Sequence, residues 1–270
     1  TDQQIGRLRE HLRQIGQLDN TVFIVMSDNG ADAYDLSQVN FAFKAWYHMH
    51  YALDYDSLGA KGAYSHYGQE WAEVSNTPFA YFKGTSSEGG MRVPFIVSWP
   101  RRLQGGRILD AFTYATDFLP TVLDIAGVPL PGDEYKGKRL LRPTGMSLLP
   151  YMEGKAPAVH PPAEVIGYEG TGSQVLYRGD YKLKRDGAPW GDGSWRLFKV
   201  AADPTESTDL ASSEPERVRQ LLAEVEAFNQ RNGVVLPEAG YNPLKALLAN
   251  NWTVLLDQMK ELVIAGLLVL

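Results

Sequence analysis

A helical pattern followed at once by an apolar strand constrains the fold of this chain more than any other feature. Apolar residues recur at helical spacing between Ile5 and Ile15. The run Thr21–Met26 that follows is continuously apolar and rich in β-formers, as in strands buried on both faces of a parallel sheet. A helix leading into a buried strand predicts an α/β fold.

The same alternation returns later in the chain. Phe95–Trp99 is a second apolar run, with prolines only at its two ends, where they remove no ladder hydrogen bond. Asp117–Gly127 then has the pattern of a helix, with Pro120 in its first turn and Gly127 at its end. We therefore assign residues 1–160 to one α/β domain.

The second part of the chain predicts a smaller domain over residues 161–235. Short strand-like runs separated by Gly and Asp turns precede an amphipathic pattern over residues 215–230. This order predicts a small antiparallel sheet with one packed helix, and Trp190 and Trp195 are expected to pack that sheet. His160, in the connection before it, is expected to be solvated. Residues 236–270 have helical spacing and remain an unassigned helical tail. Three interpretations stay open for this tail: a helix that packs on the rest of the chain, a helix that binds a partner helix, or the start of a membrane segment.

Composition excludes several classes of function. The formal net charge of −6 leaves no basic surplus for nucleic acid or anionic lipid. The chain has no cysteine, so disulfides, thiolate zinc sites and a cysteine nucleophile are excluded within it. The most apolar run, residues 262–270, is shorter than the about 20 residues that a membrane-spanning helix needs.

A tetrapeptide that could hold a metal directly follows the first strand. Ser27–Gly30 lies where ligands collect in open α/β sheets, outside the carboxyl end of a strand. The carboxylate of Asp28 and the amide oxygen of Asn29 suit a hard cation such as Ca²⁺, which takes about 6–8 oxygen ligands. Asp-Asn-Gly is also a common tight-turn sequence, so the pattern alone leaves both interpretations open.

A lysine in a glycine-rich loop is the second candidate. Lys83 is followed by Gly84 and then by Gly89 and Gly90, so the backbone can approach a ligand closely while the ammonium group neutralises an oxyanion. A solvated surface lysine near a turn has the same pattern. Glu88 and Arg92 flank the glycines and are expected to pair and anchor the loop.

The histidines lie in or near a long aromatic segment, residues 31–70. His48 and His50 have a spacing seen in some metal sites, but no further ligand pattern surrounds them, which favours a packing or substrate-lining role. His66 lies where the segment rejoins the core and could line a substrate pocket. The aromatic residues from Phe41 to Tyr67 favour a substrate that carries a ring.

Several motifs in the same order resemble one known family. Asp19–Gly30 is similar to the second metal-binding segment of sulfatases of the arylsulfatase type, in the alkaline phosphatase-like superfamily. Phe82–Pro94 resembles the lysine loop of that family, and Asp117–Gly127 resembles the helix that follows it. Tyr181–Lys184, with Leu197–Leu210, is similar to the C-terminal subdomain. The resemblance covers residues 19–210 and implies the C-terminal portion of a sulfatase: part of an α/β sandwich, then a small antiparallel sheet with a packed helix.

The resemblance also implies site residues. Asp28 and Asn29 would be two ligands of one Ca²⁺ ion, the other ligands lying outside this chain, and Lys83 would contact the sulfate and steady charge on the leaving oxygen. The family nucleophile is a formylglycine made from Cys or Ser in an N-terminal motif that these residues do not contain. The missing N-terminal half is thus the expected partner, a sulfate ester the expected substrate, and the chain alone is predicted to be inactive.

Two alternatives remain open. The metal and lysine segments also fit a phosphonate or phosphate ester hydrolase of the same superfamily, and the nucleophile motif upstream would discriminate between them. A non-catalytic sulfatase-like module that binds anionic glycans or a protein partner is the other. Periplasmic or secreted localisation is an expectation from the family.

Overall fold

The structure, a computed structural model, describes residues 1–35, 41–170, 172–238 and 240–250, without the side chains of residues 41–43. The helices are α1 (Asp2–Gln14), α2 (Phe41–His50), α3 (Gly68–Asn76), α4 (Glu88–Met91), α5 (Phe118–Ile125), α6 (Leu149–Met152) and α7 (Pro215–Asn232). The strands are β1 (Phe23–Met26), β2 (Phe95–Ser98), β3 (Glu134–Tyr135), β4 (Lys138–Arg139), β5 (Val165–Gly170), β6 (Ser173–Arg178), β7 (Tyr181–Arg185) and β8 (Arg196–Lys199).

The chain forms two compact units that are each built from two separate segments. The first unit contains Thr1–Ser27 and Pro94–Glu164, and the second contains Asp28–Val93 and the chain from Val165 onward. The change of unit after Glu164 lies close to the boundary predicted at residue 160. The segment Asp28–Val93, however, groups with the C-terminal part of the chain. The division into folding domains at residues 1–160, 161–235 and 236–270 stays a prediction.

The first unit pairs β1 with β2 and packs its core beside them. The two strands are antiparallel, with Phe23 opposite Ser98 and Met26 opposite Phe95. The prediction of a parallel arrangement is wrong for this pair, because an apolar run carries no information on the direction of its partner. The prediction that both strands are buried is also wrong, since Val25, Met26 and Ile96 are exposed in the described part of the chain. The buried core of the unit consists of Trp99, Leu148, Leu149, Met152 and Val159.

A buried histidine and aspartate hold the end of the first unit together. The His160 side chain is 6% exposed, and its Nε2 lies 2.9 Å from Asp117 Oδ2 while Nδ1 lies 3.1 Å from Glu164 Oε2. The expectation that His160 is solvated is therefore wrong. Burial by itself would lower the pKa of His160, but its hydrogen bonds to Asp117 and Glu164 raise that pKa above its ordinary value.

The second unit contains the predicted small antiparallel sheet and its helix. The sheet has the order β5, β6, β7, β8, and each neighbouring pair is antiparallel. Helix α7 covers one face, where Leu221 and Val225 pack on Leu176, Leu183 and Leu197. The apolar residues of this face lie at alternate strand positions, as the pattern predicts, and the buried Gln174 joins them through a hydrogen bond to Asn229 of α7.

The opposite face of the sheet is covered as well, by the segment that contains Lys83. Met91 packs against a buried cluster from β6, β8 and the residue after β8. Lys182 and Lys184 flank the core residue Leu183 on β7 and, by strand alternation, point to this second face. The sequence analysis predicted one covered face, whereas the structure has two.

The segment after β1 lies in backbone contact with the glycines of the lysine segment. The Gly30 N–H donates to the Gly90 carbonyl at 3.3 Å. A Cβ atom on Gly30 would lie 1.9 Å from the Gly89 carbonyl oxygen, and one on Gly89 would lie 2.2 Å from the Tyr81 carbonyl oxygen. Only glycine allows this approach.

The predicted helical tail is described only in part. Residues 243–250 are helical, and the apolar positions Val254 to Val263 lie outside the described residues. Within the described ranges, no helix combines the length and apolarity that crossing a bilayer requires.

Replacing Gly30 by Ala should destabilise the chain by about 1–3 kcal/mol or more, because the added methyl group overlaps a backbone carbonyl that cannot rotate away. Thermal unfolding followed by circular dichroism measures the change. Gly187→Ala is the matched control, since a Cβ there meets nothing within 4 Å and its φ is not left-handed. Equal melting temperatures for Gly30→Ala and the wild type would contradict the close contact.

Stability should depend on pH through His160. Because its folded pKa is raised, protonated His160 contributes stability that is fully present below its unfolded pKa, near 6.5, and is lost as the pH rises through the folded pKa. In melting curves recorded from about pH 5.5 to 8.5, the advantage of the wild type over His160→Gln should shrink above about pH 6.5. Parallel curves would show that folding does not raise the pKa of His160.

Candidate functional site

The structure brings residues 28–31, at the end of the predicted metal segment, together with residues 82–93, the lysine segment, within the second unit. The Lys83 N–H donates to the Ala31 carbonyl at 3.0 Å, in addition to the bond between Gly30 and Gly90. The side chain of Asn76, at the end of α3, accepts from the Ala31 N–H at 3.2 Å and donates to the Tyr81 carbonyl at 3.0 Å. Residues about 50 positions apart are thus tied side by side through their backbones.

Asp28 and Asn29 present oxygen atoms at the surface of this arrangement. Asp28 is exposed and Asn29 is half-buried. The Asn29 amide donates from Nδ2 to Asp28 Oδ1 at 2.9 Å, so the two side chains already lie within reach of one ion. Among the described residues, no group of three or more His, Asp or Glu could hold a metal. The two side-chain oxygen ligands suit Ca²⁺, but two ligands do not complete the coordination shell of the ion.

Lys83 pairs with an aspartate that the sequence analysis did not select. Its Nζ lies 3.1 Å from Asp32 Oδ2, with side-chain exposures of 41% and 48%. Asp32 also accepts from the Tyr34 N–H through Oδ1 at 2.9 Å. An exposed pair of this kind contributes little free energy, so the ammonium group can exchange Asp32 for another anion at small cost. The feature of the sequence that could have identified Asp32 is its position four residues after Asp28.

His66 belongs to an aromatic cluster beside a second aspartate. Its Nε2 lies 3.1 Å from Asp35 Oδ1, and its ring contacts Tyr47 and Tyr64 with centroid separations of 5.3 and 5.0 Å. A hydrogen bond with Tyr64, together with burial, raises the pKa of Tyr47 to about 12. The structure gives His66 a packing and pairing role here. Its predicted role in lining a substrate pocket stays a prediction.

His48 and His50 lie in the last turn of α2. His50 stacks on Trp46 with a centroid separation of 4.8 Å, and its Nδ1 lies 2.8 Å from the Trp46 carbonyl. This contact agrees with a packing role for His50, whereas His48 is exposed and its role stays a prediction.

Aromatic packing fixes the backbone next to Lys83. Phe82 is fully buried, and Trp190 meets its ring edge-on at a centroid separation of 4.8 Å. Trp190 was expected to pack the small sheet and instead joins the cluster around Phe82, whereas Trp195 packs against the sheet core as predicted. The difference arises because Trp195 directly precedes β8, whereas Trp190 lies in the middle of the β7–β8 connection.

A buried ion cluster anchors the other end of the lysine segment. The predicted pair is present, with Arg92 Nε 2.9 Å from Glu88 Oε2, and Lys182 Nζ lies 2.8 Å from Glu88 Oε1. Burial by itself would raise the pKa of Glu88, but Lys182 and Arg92 lower it below its ordinary value. Burial would lower the pKa of Lys182, while Tyr177 and the nearby carboxylates raise it. Both groups are therefore charged at neutral pH.

Comparison with known proteins matches the family model described as Sulfatase to residues 1–128. An uncharacterised sulfatase of Schizosaccharomyces pombe is 30% identical over 237 residues, which are 87% of this chain and 42% of that protein. A protein of Klebsiella aerogenes named arylsulfatase is 38% identical over 149 residues, 54% of this chain and 31% of that one. The chain thus spans less than half the length of these relatives.

Two solved structures share the fold at low sequence identity. Ps i-CgsB in complex with k-i-k-neocarrahexaose has a TM-score of 0.59 at 22% identity, covering 92% of this chain and 45% of the other. Phosphonate monoester hydrolase of Agrobacterium radiobacter has a TM-score of 0.50 at 19% identity, covering 86% and 39%.

The ordered motifs, the matched family model and the shared fold agree with one another. Over residues 1–128 this chain matches the sulfatase family, and it has the alkaline phosphatase-like α/β fold.

Proposed function

We propose that this chain contributes the second metal segment and the catalytic lysine to a sulfuric ester hydrolase of the arylsulfatase type. The observation that carries the proposal is the backbone pairing of residues 30–31 with Lys83 and Gly90, which holds two oxygen ligands and a partly exposed ammonium group in one unit. Relatives named arylsulfatase and steryl-sulfatase support sulfate esters as the substrate class.

In this proposal, Asp28 and Asn29 hold one side of a Ca²⁺ ion. Both side chains offer oxygen atoms, and the exposed carboxylate of Asp28 can turn toward an ion without breaking a buried contact. The remaining ligands come from residues outside this chain, because Ca²⁺ takes about 6–8 oxygens. The bound ion would polarise the sulfate group.

Lys83 would bind the sulfate oxygens and stabilise negative charge on the leaving oxygen as the ester bond breaks. In the structure its ammonium group lies 3.1 Å from Asp32 Oδ2, which orients it. An incoming sulfate replaces or shares that contact. Lys83 carries this role better than Lys182 or Lys184, since those two are buried against carboxylates.

The nucleophile would come from outside these residues. The chain contains no cysteine, and its relatives are more than twice as long as the region they share with it. By resemblance to the family, the nucleophile is a formylglycine. The 270-residue chain on its own should then hydrolyse no aryl sulfate, and turnover by the purified chain would overturn this part of the proposal.

Substitution of Lys83 tests its catalytic role in the longer protein that contains this chain. Lys83→Met should lower kcat for an aryl sulfate by about 100-fold or more, the usual effect of removing a group that stabilises an oxyanion. Lys61→Met, at an exposed lysine of the same unit, is the control and should leave kcat unchanged. Equal rates for the two variants would exclude Lys83 from catalysis.

The metal role predicts a separate loss of binding. Asp28→Ala should weaken Ca²⁺ binding to the longer protein at least about tenfold, because it removes the only charged ligand that this segment supplies. Isothermal titration calorimetry measures the affinity without reference to activity. Asp56→Ala, at an exposed aspartate, is the matched control. Unchanged affinity in Asp28→Ala would contradict the proposed ligand.

Preference for a phosphonate or phosphate ester over an aryl sulfate in the same assay would identify the alternative hydrolase. Ca²⁺ binding with no turnover of any ester by the longer protein would favour the non-catalytic module.

A further inference from the structure

The lysine segment is held from the C-terminal sheet by charged side chains that the proposed reaction does not use. Lys182 is fully buried, and Glu88, Glu206 and Asp186 have side-chain exposures of 4%, 1% and 10%. Lysine, glutamate and aspartate are almost never buried to this degree unless they are paired. A cluster of this kind in the second unit therefore has a specific structural or functional reason.

Two of these carboxylates bind the backbone of the lysine segment directly. Asp186 Oδ1 accepts from the Ser86 N–H at 2.7 Å. Glu206 Oε2 accepts from the Glu88 N–H at 2.9 Å. These are charge-assisted hydrogen bonds, which are shorter and stronger than bonds between neutral groups. Residues three and five positions after Lys83 are thus held by side chains from the C-terminal part of the chain.

The two lysines of β7 connect the carboxylates to one another. Lys182 Nζ lies 2.8 Å from Glu88 Oε1 and 2.9 Å from Glu206 Oε1, the latter an ion pair without hydrogen-bond geometry. Lys184 Nζ contacts Ser87 Oγ and lies 3.3 Å from Asp186 and 3.7 Å from Glu206. Each charged group in the cluster therefore has a compensating neighbour in the lysine segment and another in the C-terminal part of the chain, or is paired across the two.

The backbone is strained where the two parts meet. Tyr81, two residues before Lys83, has a φ of 61°, and Glu206 has a φ of 54°. Non-glycine residues seldom adopt this left-handed region, and they persist in it only where the surrounding contacts determine the conformation. The Asp203 carboxylate accepts from Thr205, Ser207 and Thr208 and so forms the turn that carries Glu206.

Lys83 itself does not take part in the cluster. It contacts Asp32 and Ala31, on the other side of the segment. Gly84, with a φ of 92°, is followed by Thr85, whose side chain bonds to the Phe82 carbonyl. Because this short stretch is closed on itself, its position is set by Ala31 on one side and by the residues that bind Ser86 and Glu88 on the other.

We infer that Lys182, Glu206 and Asp186 are positioning residues for Lys83, which act by holding residues 86–88 from the C-terminal sheet. This inference rests on the proposed catalytic role of Lys83. It gives the small sheet a part in catalysis, since a displacement of the order of 1 Å at a reacting group can lower a rate about 100-fold.

Amide hydrogen exchange in this chain tests the positioning without any activity. Glu206→Gln keeps the size of the side chain but removes its charge, and Lys182→Met removes the ammonium group. Both should speed exchange at Ser86 and Glu88 at least about tenfold, while amides of β6 and α7 keep their protection. Lys199→Met, at an exposed lysine on β8, is the matched control and should change neither.

Unchanged exchange at Ser86 and Glu88, or equal acceleration throughout the sheet, would overturn the inference. If Lys182→Met does not fold, Glu206→Gln alone decides, since it leaves the acceptor for the Glu88 N–H in place and alters only the charge.

A double-mutant cycle in the longer protein tests the link to Lys83. Glu206→Gln should lower kcat about tenfold with little change in KM, and it should have no further effect when Lys83 is already replaced by Met. Additive effects would show that Glu206 acts by another route. If Lys83→Met has full activity but exchange at Ser86 and Glu88 still responds, the proposed function fails while the structural link stands.

Discussion

Burial of charge between β7 and the lysine segment is the constraint on which the second unit depends. A lysine and a carboxylate that leave water together lose several kcal/mol of solvation each, and only close pairing offsets the loss. Lys182 and Glu88 satisfy this requirement at 2.8 Å, with Tyr177 and Arg92 completing the carboxylate. Since removal of one partner leaves the other uncompensated, the sheet and the lysine segment have to form together.

The same constraint explains why a small sheet needs two covered faces. Leu183 points to α7 and belongs to an apolar core, while its neighbours on β7 carry ammonium groups to the opposite side. An apolar cover on that side would leave those charges without partners. The lysine segment supplies carboxylate and hydroxyl groups in its place, together with backbone N–H groups for the carboxylates of the sheet.

The arrangement also relates the fold to the proposed chemistry. The Gly30 and Ala31 backbone binds one side of the lysine segment, and the ion cluster binds the other. Lys83 lies between these two supports, half-exposed and paired with Asp32. A group that must meet an anion gains from such rigidity, because its position does not have to be established during the reaction.

Local pattern alone determined the α/β class, the small antiparallel sheet with its helix, the pairing of Glu88 with Arg92 and the candidates Asp28, Asn29 and Lys83. These features depend on periodicity, on turn residues and on motifs read within short windows. Tertiary structure decided the antiparallel direction of β1 and β2, the burial of His160 against Asp117, the Asp32 partner of Lys83 and the ion cluster around Lys182. Those contacts join residues far apart along the chain, 94 positions in the case of Lys182 and Glu88. No local period encodes such a contact, because its free energy arises only when both charges leave water together.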